Sequence, residues 1–567
     1  MTAGSATPTV AEVYLAALQA RGLRRLFVNA GTDFAPLVEA YARQQESGLL
    51  FPEVIVAAHE NVAVSMAHGA FLAEGVPQAV MVHTSVGTAN AICGVINASR
   101  ARVPMLLTAG RSPLFEDTVP GSRNLGIHWV QEMYDQAGML RELVKWDYEL
   151  RGGRQVEAVL DRALDIASTA PAGPVYLSLP REVLAEPAGP GRPGGQRLAA
   201  PTEPNPDPAA VAALADKLLA ARFPVFVTSS TGADKSTVAL LGELCDRFAV
   251  AVLENGPRYV NVPAGHPMHA GYDLAAVLPD ADVLCFLDLD VPWLPGSQAP
   301  AAGSFVVQCG PDPHFGQYPV RGHRSDLSIS TGIGPLLREL SRALARREQP
   351  GLAARRDRIA EFARGTRARR AAASLDAAEA GGPITLPYLN WAFGQVCPPE
   401  AVVVNEYWVQ PQALTRPEPG SYFGPPPAGG LGWGLPAALG FSLASPGRLV
   451  IATVGDGAYM FANPAACHQA MSRYRLPVLT VVANNERWTA VDRSAAAMYP
   501  GRREALASQP SPFADLRPNP AFEGYAEASG GYGVRVEQRG DLVPALRHAL
   551  KVVTGEGRHA LVNVICS

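Results

Sequence analysis

Two short polar motifs end apolar runs in the last third of the chain. Gly455-Asp456-Gly457 follows RLVIATV, Asn484-Asn485 ends PVLTVVAN, and twenty-six residues separate Gly457 from Asn484. A helix between two such strands would make them parallel, so Asp456 and Asn485 are expected at one edge of one sheet. A carboxylate beside an amide oxygen suits a hard divalent cation, and the glycines let a phosphate approach backbone N–H groups. The spacing therefore predicts a site for magnesium and a diphosphate.

A second group of candidate residues lies in the first third. Glu60, in VIVAAHENVAVSMAHGAF, follows an apolar strand and begins a helix of small residues. A buried carboxyl keeps its proton more readily and could exchange it with a ligand, whereas a Glu at a helix start is often only a helix-dipole partner. His83 ends QAVMVH before a Gly-containing turn, where a His serves either as a structural hydrogen-bonding group or as a proton carrier near neutral pH.

The elements that must position these residues form an alternating pattern. Apolar runs of strand length alternate with helix-length segments, which is typical of parallel α/β domains covered on both faces. The predicted strands are RLFVNA, EVIVAA, QAVMVH, VPMLLTAG, PVYLSL, PVFVTS, VLCFLDLD, SFVVQC, AVVVNE, RLVIATV, PVLTVVAN and ALVNVIC. The first and last thirds could share an architecture.

Two breaks in composition divide the chain. Ala185 to Pro208 is too rich in Pro and Gly for a helix or strand. Arg346 to Pro383 begins as an Arg- and Ala-rich helix, which we interpret as a solvated connection, with a binding patch as the alternative. We therefore predict an α/β fold with three domains, each with a central, mostly parallel sheet flanked by helices. Their predicted bounds are 1–185, 206–345 and 384–567.

The composition excludes several classes of protein. Of 567 residues, 48% are hydrophobic and 18% charged, with a formal net charge of -4, which rules out disorder and gives no basic face for nucleic acid or an acidic membrane. The seven cysteines are scattered singly, which argues against a disulfide framework or structural zinc and for a reducing compartment. With no signal-peptide pattern and no apolar run long enough to span a bilayer, we expect a cytoplasmic protein that does not bind membranes.

The G-D-G and N-N pattern resembles the signature of thiamine diphosphate (ThDP) enzymes, the superfamily of pyruvate decarboxylase, acetolactate synthase and benzoylformate decarboxylase. The resemblance covers nearly the whole chain. It implies a pyrimidine-binding domain first, a Rossmann-like domain in the middle and a diphosphate-binding domain last. It also implies that Mg²⁺ is held by Asp456, Asn485 and the main-chain carbonyl of Arg487. The residues implied to contact the cofactor in this region are Gly455, Asp456, Gly457, Ala458 and Asn485.

The resemblance is strongest to benzoylformate decarboxylase and implies further roles. Glu60 would bind the aminopyrimidine and activate the cofactor. NAGTDFAPL places Thr32 where that family has a substrate-contacting Ser, and VHTSVGTANA places His83 on its catalytic His. In PPPAGGLGWG, Leu431 would be the apolar wedge that bends ThDP and Gly429 would offer a carbonyl to its amino group.

The chain also departs from that family. DLDVPWLPG has Trp293 and no His where a second catalytic His is expected, and Trp408 and Val409 stand where hydroxylic residues are expected. HWVQEMYDQ resembles the F-Q-E-x-D stretch of acetolactate synthases, with Gln131 in the matching place, but those enzymes have S-G-P-G-A-T-N where this chain has HTSVGTAN. The central SSTGAD has only Gly232 where an FAD-binding loop would be glycine-rich, so we predict no FAD.

These observations favour a ThDP- and Mg²⁺-dependent decarboxylase of a 2-oxo acid, which could also act as a carboligase. The alternatives are an acetolactate synthase-type carboligase and a ThDP-fold binding or regulatory subunit without chemistry. A nicotinamide or flavin oxidoreductase is less favoured because no strand precedes G-x-G-x-x-G. The resemblance implies a homodimer as the minimum active unit, or a homotetramer. The tryptophans Trp293, Trp408, Trp433 and Trp488 either shape an aromatic pocket or belong to the core.

Overall fold

The computed structural model of the chain describes residues 7–189, 202–263, 265–349, 351–414, 418–502 and 511–567. These residues form three six-stranded parallel sheets flanked by helices, which confirms the predicted fold class. Part of the predicted linker, residues 190–201, and residue 350 of the second break lie outside the described residues. None of the described helices is both long and apolar enough to cross a membrane.

The first sheet has the strand order β2-β1-β3-β4-β6-β5. Its strands are β1 (Arg25–Asn29), β2 (Glu53–Val56), β3 (Gln78–Val82), β4 (Met105–Gly110), β5 (Asp147–Glu149) and β6 (Pro174–Leu179). The helices of this segment are α1 (Val10–Ala20), α2 (Ala35–Ala42), α3 (Gln44–Ser47), α4 (Glu60–Glu74), α5 (Thr84–Arg100), α6 (Ile127–Val130), α7 (Val156–Ser168) and α8 (Arg181–Ala185).

The second sheet has the order β12-β11-β10-β7-β8-β9, in which the chain starts in the middle and adds strands to each side in turn, as in Rossmann folds. Its strands are β7 (Pro224–Thr228), β8 (Ala251–Glu254), β9 (His269–Gly271), β10 (Val283–Leu287), β11 (Phe305–Gly310) and β12 (Leu327–Ser330). Its helices are α9 (Pro208–Ala220), α10 (Lys235–Phe248), α11 (Leu274–Val277), α12 (Ile333–Ala345) and α13 (Leu352–Glu379).

Helix α13 is the connection predicted from the Arg-rich segment, and most of its residues are at least partly exposed, but Arg355 in its first turn is not solvated. Arg355 is buried, and its guanidinium donates to the carbonyls of Leu218, Ala221 and Phe248. A run of Arg residues does not show which of them meets unpaired carbonyls at the ends of other elements, so the predicted solvated helix is confirmed for most of the segment and the prediction was wrong for Arg355.

The third sheet has the order β14-β13-β15-β16-β18-β17, which repeats the first sheet strand for strand and confirms their shared architecture. Its strands are β13 (Val402–Glu406), β14 (Tyr422–Phe423), β15 (Val450–Gly455), β16 (Val478–Asn484), β17 (Tyr532–Val536) and β18 (Ala560–Ile565). Its helices are α14 (Leu386–Val396), α15 (Gly434–Ala444), α16 (Asp456–Phe461), α17 (Pro464–Tyr474), α18 (Thr489–Met498), α19 (Glu523–Ala528) and α20 (Arg539–Lys551).

Contact density divides the chain into two compact units. The first comprises Met1–Pro201, Pro425–Arg535 and His548–Val564, and the second comprises Thr202–Gly424, Val536–Arg547 and Ile565–Ser567. The predicted bounds of the three domains stay a prediction.

Within the first unit, helices α4 and α15 cross with their backbones in close approach. A Cβ on Gly69 would lie 1.8 Å from the carbonyl oxygen of Ala437, and one on Gly440 would lie 1.8 Å from that of Met66. Only glycine fits at either position, so this crossing determines where α4, which begins with Glu60, is held.

The core behind α16 contains two neutral histidines. His468 on α17 is fully buried, and its Nε2 lies 2.9 Å from the hydroxyl oxygen of Tyr459. Its ring centroid lies 5.5 Å from that of His559, which is also buried. Burial, together with the nearby His559, lowers the pKa of His468 to about 3, so the folded protein keeps this ring uncharged.

This burial predicts acid sensitivity of the first unit. An unfolded His titrates near pH 6.5, so above that pH the free energy of unfolding does not depend on His468. Below it, the unfolded state binds a proton that the folded state excludes. The free energy of unfolding then falls by up to about 1.4 kcal/mol per pH unit until the pH approaches 3. We expect the midpoint of thermal unfolding to fall between pH 7 and pH 5, with a shallower dependence in His468→Gln. The exposed His314 provides the control, since His314→Gln should keep the wild-type slope. Equal slopes in all three proteins would contradict this.

Candidate functional site

The two polar motifs of the last third meet at one sheet edge. Strand β15 pairs with β16 in parallel, with Gly455 opposite Ala483, so Asp456 and Asn485 both follow the carboxyl ends of paired strands. This confirms the expected placement. Gly455 is the N-cap of α16, which begins at Asp456, and Ala458 is buried in its first turn.

The Asp456 carboxylate is enclosed by neutral donors. Its Oδ1 accepts from the Gly457 N–H at 2.9 Å, and its Oδ2 accepts from the Arg487 N–H at 3.3 Å and from Asn519 Nδ2 at 2.9 Å. Only 3% of the residue is exposed, and burial raises the pKa of the carboxyl group. Within the described ranges no cationic side chain forms an ion pair with it. A buried, unneutralised carboxylate of this kind suits a divalent cation.

Asn485 and Arg487 follow the end of the neighbouring strand and carry further oxygen atoms at the same sheet edge as Asp456. Asn485 Nδ2 donates to Thr489 Oγ1 at 2.7 Å, which leaves its Oδ1 as the atom that could bind a cation. The Arg487 side chain pairs with Asp492 at 2.7 Å, while its main chain lies against Asp456. The described residues contain no cluster of three or more His, Cys, Asp or Glu suited to a metal. The candidate set is thus one carboxylate with amide and carbonyl oxygens, which fits Mg²⁺ and does not fit zinc.

Glu60 is the first residue of α4 and is 8% exposed. Asn90 on α5 donates to its Oε2 at 3.1 Å. The preceding His59 caps the helix, because its Nδ1 accepts the Asn61 N–H at 3.1 Å. Glu60 is therefore a largely buried carboxyl group held in place by one amide.

Helix α5, which carries Asn90, also holds the A-G-G-L-G segment at residues 428–432. Asn97 on α5 donates to the Gly430 carbonyl at 2.8 Å and accepts the Gly430 N–H at 3.1 Å, and the Cys93 thiol lies 3.9 Å from the Leu431 carbonyl. Gly429 is exposed and has a φ of +65°, a conformation that favours glycine. The structure thus places Gly429, Leu431 and Glu60 around α5.

His83 forms a pair with a residue that sequence reasoning missed. Its Nδ1 lies 2.5 Å from Oδ1 of Asp33, which is 2% exposed. This hydrogen bond is the main reason that the pKa of His83 is raised, with further contributions from the Asp33 and Glu60 charges and the Gln131 side chain. Gly31 makes the pairing possible, because a Cβ there would lie 2.2 Å from the His83 ring. The sequence signal that could have identified Asp33 is its place directly after the candidate Thr32 in NAGTDF.

Thr32 and Gln131 are both close to this pair: Thr32 directly precedes Asp33 in the chain, and the Gln131 side chain hydrogen-bonds His83. Thr32 is exposed and opens a one-turn helix, Thr32–Phe34, and its carbonyl accepts from the buried Arg181 at 3.4 Å. The main-chain carbonyl of Gln131 accepts from Ser85 Oγ at 2.9 Å. Residues taken from both resemblances therefore meet around His83.

Three of the four tryptophans belong to the core. Trp293, Trp408 and Trp433 are 6%, 6% and 2% exposed. The Trp293 ring packs edge-on against His323, with centroids 4.8 Å apart. Trp488 is only partly buried and packs against Phe461 at 5.6 Å.

In the central sheet, the turn at Gly232, where an FAD phosphate would bind, is packed against other residues of the protein. The Gly232 N–H donates to Asn261 Oδ1 at 2.9 Å, and a Cβ on Gly232 would lie 2.0 Å from the Val260 carbonyl oxygen. The backbone there already has a protein partner. The absence of FAD stays a prediction.

Comparisons with known proteins agree with this geometry. The model of the thiamine pyrophosphate enzyme N-terminal TPP-binding domain matches residues 8–139, and that of the C-terminal TPP-binding domain matches residues 404–564. Benzoylformate decarboxylase of Pseudomonas aeruginosa is 28% identical over 94% of this chain and 95% of its own. Sulfoacetaldehyde acetyltransferase of Rhodobacter capsulatus is 27% identical over 96% and 92%.

Solved structures show the same fold. The 4-hydroxybenzoylformate decarboxylase of Rhodococcus jostii RHA1 superposes with a TM-score of 0.78 at 22% identity, covering 99% of both chains. Benzoylformate decarboxylase from Polynucleobacter necessarius superposes with a TM-score of 0.77 at 20% identity over 98% of both chains. With both cofactor-domain models matched and the buried Asp456 and Glu60 each in its own domain, the chain belongs to the family of thiamine pyrophosphate (thiamine diphosphate) enzymes.

Proposed function

We propose that this chain is a ThDP- and Mg²⁺-dependent decarboxylase of a 2-oxo acid, similar to benzoylformate decarboxylase. The observation that carries the proposal is the buried Asp33 paired with His83, since acetolactate synthases have no His in that stretch. The similarity to a benzoylformate decarboxylase over 94% of the chain supports it.

Asp456, Asn485 and the Arg487 carbonyl would hold Mg²⁺, and Gly455, Gly457 and Ala458 would face the diphosphate. Bound ThDP would supply a carbon nucleophile for the ketone and an electron sink for the bond to CO₂. Glu60 would hydrogen-bond to the aminopyrimidine and exchange a proton with it, while Leu431 would pack against the cofactor and the Gly429 carbonyl would accept from its amino group.

His83 would bind the substrate carboxylate and hold a proton close to it. Because Nδ1 is bound to Asp33, only Nε2 can reach a substrate. The raised pKa keeps the ring cationic at higher pH than an ordinary His, and a cation stabilises a carboxylate before CO₂ leaves. Thr32 lies one residue from Asp33 and is exposed, so it is a candidate substrate contact.

Acetolactate synthase-type carboligation remains a second candidate. Gln131, which resembles an acetolactate synthase residue, accepts from Ser85 through its main-chain carbonyl, and its side chain helps to raise the pKa of His83. A probable acetolactate synthase of Mycobacterium bovis is 23% identical over 97% of this chain. A subunit without chemistry is less favoured, because Glu60, Asp456 and Asn485 are all retained.

We also propose a homodimer or homotetramer. Eight large apolar side chains between residues 114 and 134 are exposed, including Val130 at 83%. Such a concentration in one segment is typical of a surface covered by a partner, and a second copy is the partner that the family resemblance implies. The cytoplasmic location stays a prediction.

A panel of donors tests the reaction. With Mg²⁺ and ThDP, we expect CO₂ and an aldehyde from at least one of pyruvate, longer aliphatic 2-oxo acids and benzoylformate. Acetolactate or acetoin-type products from pyruvate would favour the carboligase instead. Cofactor binding without CO₂ from any donor would support the inert subunit. Glu60→Gln should abolish turnover and leave the fold intact, whereas the exposed Glu53→Gln should retain it.

Asp33→Asn tests the pair with His83. Loss of the carboxylate should return the His83 pKa toward its ordinary value, so the imidazolium disappears at lower pH. We expect the alkaline limb of kcat/KM to move to lower pH, with a loss of roughly 10²-fold at pH 8. Asp135→Asn, at an exposed ion pair with Arg141, is the control. An unmoved limb in a folded variant would show that Asp33 does not act through His83.

Val130→Asp tests the assembly. A charge in a covered apolar surface is costly, so this variant should have a smaller mass by light scattering than the wild type at equal concentration. Val38 is 66% exposed outside the 114–134 segment, and Val38→Asp should leave the mass unchanged. A monomeric wild type would refute the proposed assembly.

A further inference from the structure

A continuous chain of side-chain amides runs from Glu523 to Asp456. Asn563 Nδ2 donates to Glu523 Oε2 at 2.8 Å, and Asn484 Nδ2 donates to Asn563 Oδ1 at 3.1 Å. Asn519 Nδ2 then donates both to Asn484 Oδ1 at 2.8 Å and to Asp456 Oδ2 at 2.9 Å. Three amides thus connect two carboxyl groups.

The two ends determine how every amide is oriented. An ionised carboxylate only accepts hydrogen bonds, so Glu523 requires the NH₂ group of Asn563, which turns the Asn563 oxygen toward Asn484. The Asn484 oxygen must then face Asn519. The Glu486 N–H supports the same orientation, because it donates to Asn484 Oδ1 at 3.2 Å. Asn519 is left with only one arrangement, with its NH₂ group toward both Asn484 and Asp456.

Burial makes this arrangement costly to change. Asn563, Asn484 and Asp456 are 0%, 1% and 3% exposed, and an unpaired buried amide costs about 1–3 kcal/mol. The Asp456 carboxylate has donors on both oxygens, from Gly457, Arg487 and Asn519, so it cannot rotate without losing one of them.

One atom of the chain points to a further ligand. Asn519 Oδ1 is buried and has no hydrogen-bond partner among the described residues, although its amide group is bonded to Asp456. A water molecule held by a bound cation would satisfy an oxygen in this position.

We propose that Asn519 is a positioning residue of the metal site: held by the Glu523–Asn563–Asn484 amide chain, it presets the Asp456 carboxylate for a divalent cation. This inference rests on the proposed Mg²⁺-dependent function. It gives Asn484, the first residue of the Asn pair, an orienting role distinct from that of Asn485. A preset carboxylate loses less conformational freedom when the cation binds, so Asn519 contributes to metal affinity without being a metal ligand.

Metal binding is measured directly with Mn²⁺ by electron paramagnetic resonance, in the presence of ThDP and without substrate. Asn519→Ala and the similarly sized Asn519→Leu should both raise the Mn²⁺ Kd by about 10–100-fold, as is typical when a group that orients a ligand is removed. Glu523→Gln, which removes the group that sets the chain's direction, should raise it by a smaller factor. The exposed Asn205→Ala should leave it unchanged.

The outcomes separate this inference from the proposed function. If the wild type binds no Mn²⁺, the proposed metal dependence fails. If the wild type binds Mn²⁺ and the folded Asn519 variants bind it equally well, the positioning role is wrong. Should an Asn519 variant not fold, as judged by circular dichroism, Glu523→Gln decides, and an unchanged Kd there would overturn the role of the amide chain.

Discussion

The parallel pairing of β15 with β16 is the constraint on which the site depends. It carries Asp456 and the Asn pair to one edge of the third sheet, although twenty-six residues separate the motifs. Once there, Asp456 is shielded from water and held by N–H donors, and no cationic side chain among the described residues forms an ion pair with it. A site of this kind is costly for the protein alone and favourable when a divalent cation is bound, which is a property of a binding site rather than of a core.

The first and third sheets use one topology for two different tasks. Both have the same strand order, and His83 and Asp456 occupy corresponding places, each directly after the third strand of its sheet. In the third sheet this place holds an uncompensated carboxylate, whereas in the first it holds an imidazole paired with the buried Asp33. The same edge therefore carries a buried carboxylate in one sheet and an imidazole–carboxylate pair in the other. The difference lies in which side chains follow the strand, because the backbone framework is the same.

The strands that sequence patterns missed are mainly those at sheet edges. All twelve predicted strands are present, but β5, β8, β9, β12, β14 and β17 were not predicted, and all except β8 are edge strands. Edge strands are short and covered on fewer sides, so they lack the continuous apolar run that marks a central parallel strand. For the site, Glu60, His83, Asp456 and Asn485 could be found because their positions at strand and helix ends are visible in the sequence.

Local pattern alone thus determined the alternation of the twelve predicted strands with helices, the three-sheet fold and the residues that follow those strands. The partners Asp33, Asn90 and Asn519 came only from the tertiary structure. Their contacts with His83, Glu60 and Asp456 join residues 50, 30 and 63 positions apart. Period and spacing describe how one element is built. Period and spacing do not specify which side chain from another element contacts that element. Such contacts depend on the register between strands and on close helix crossings such as Gly69 with Ala437. They also depend on which buried donors have lost water and need a protein acceptor.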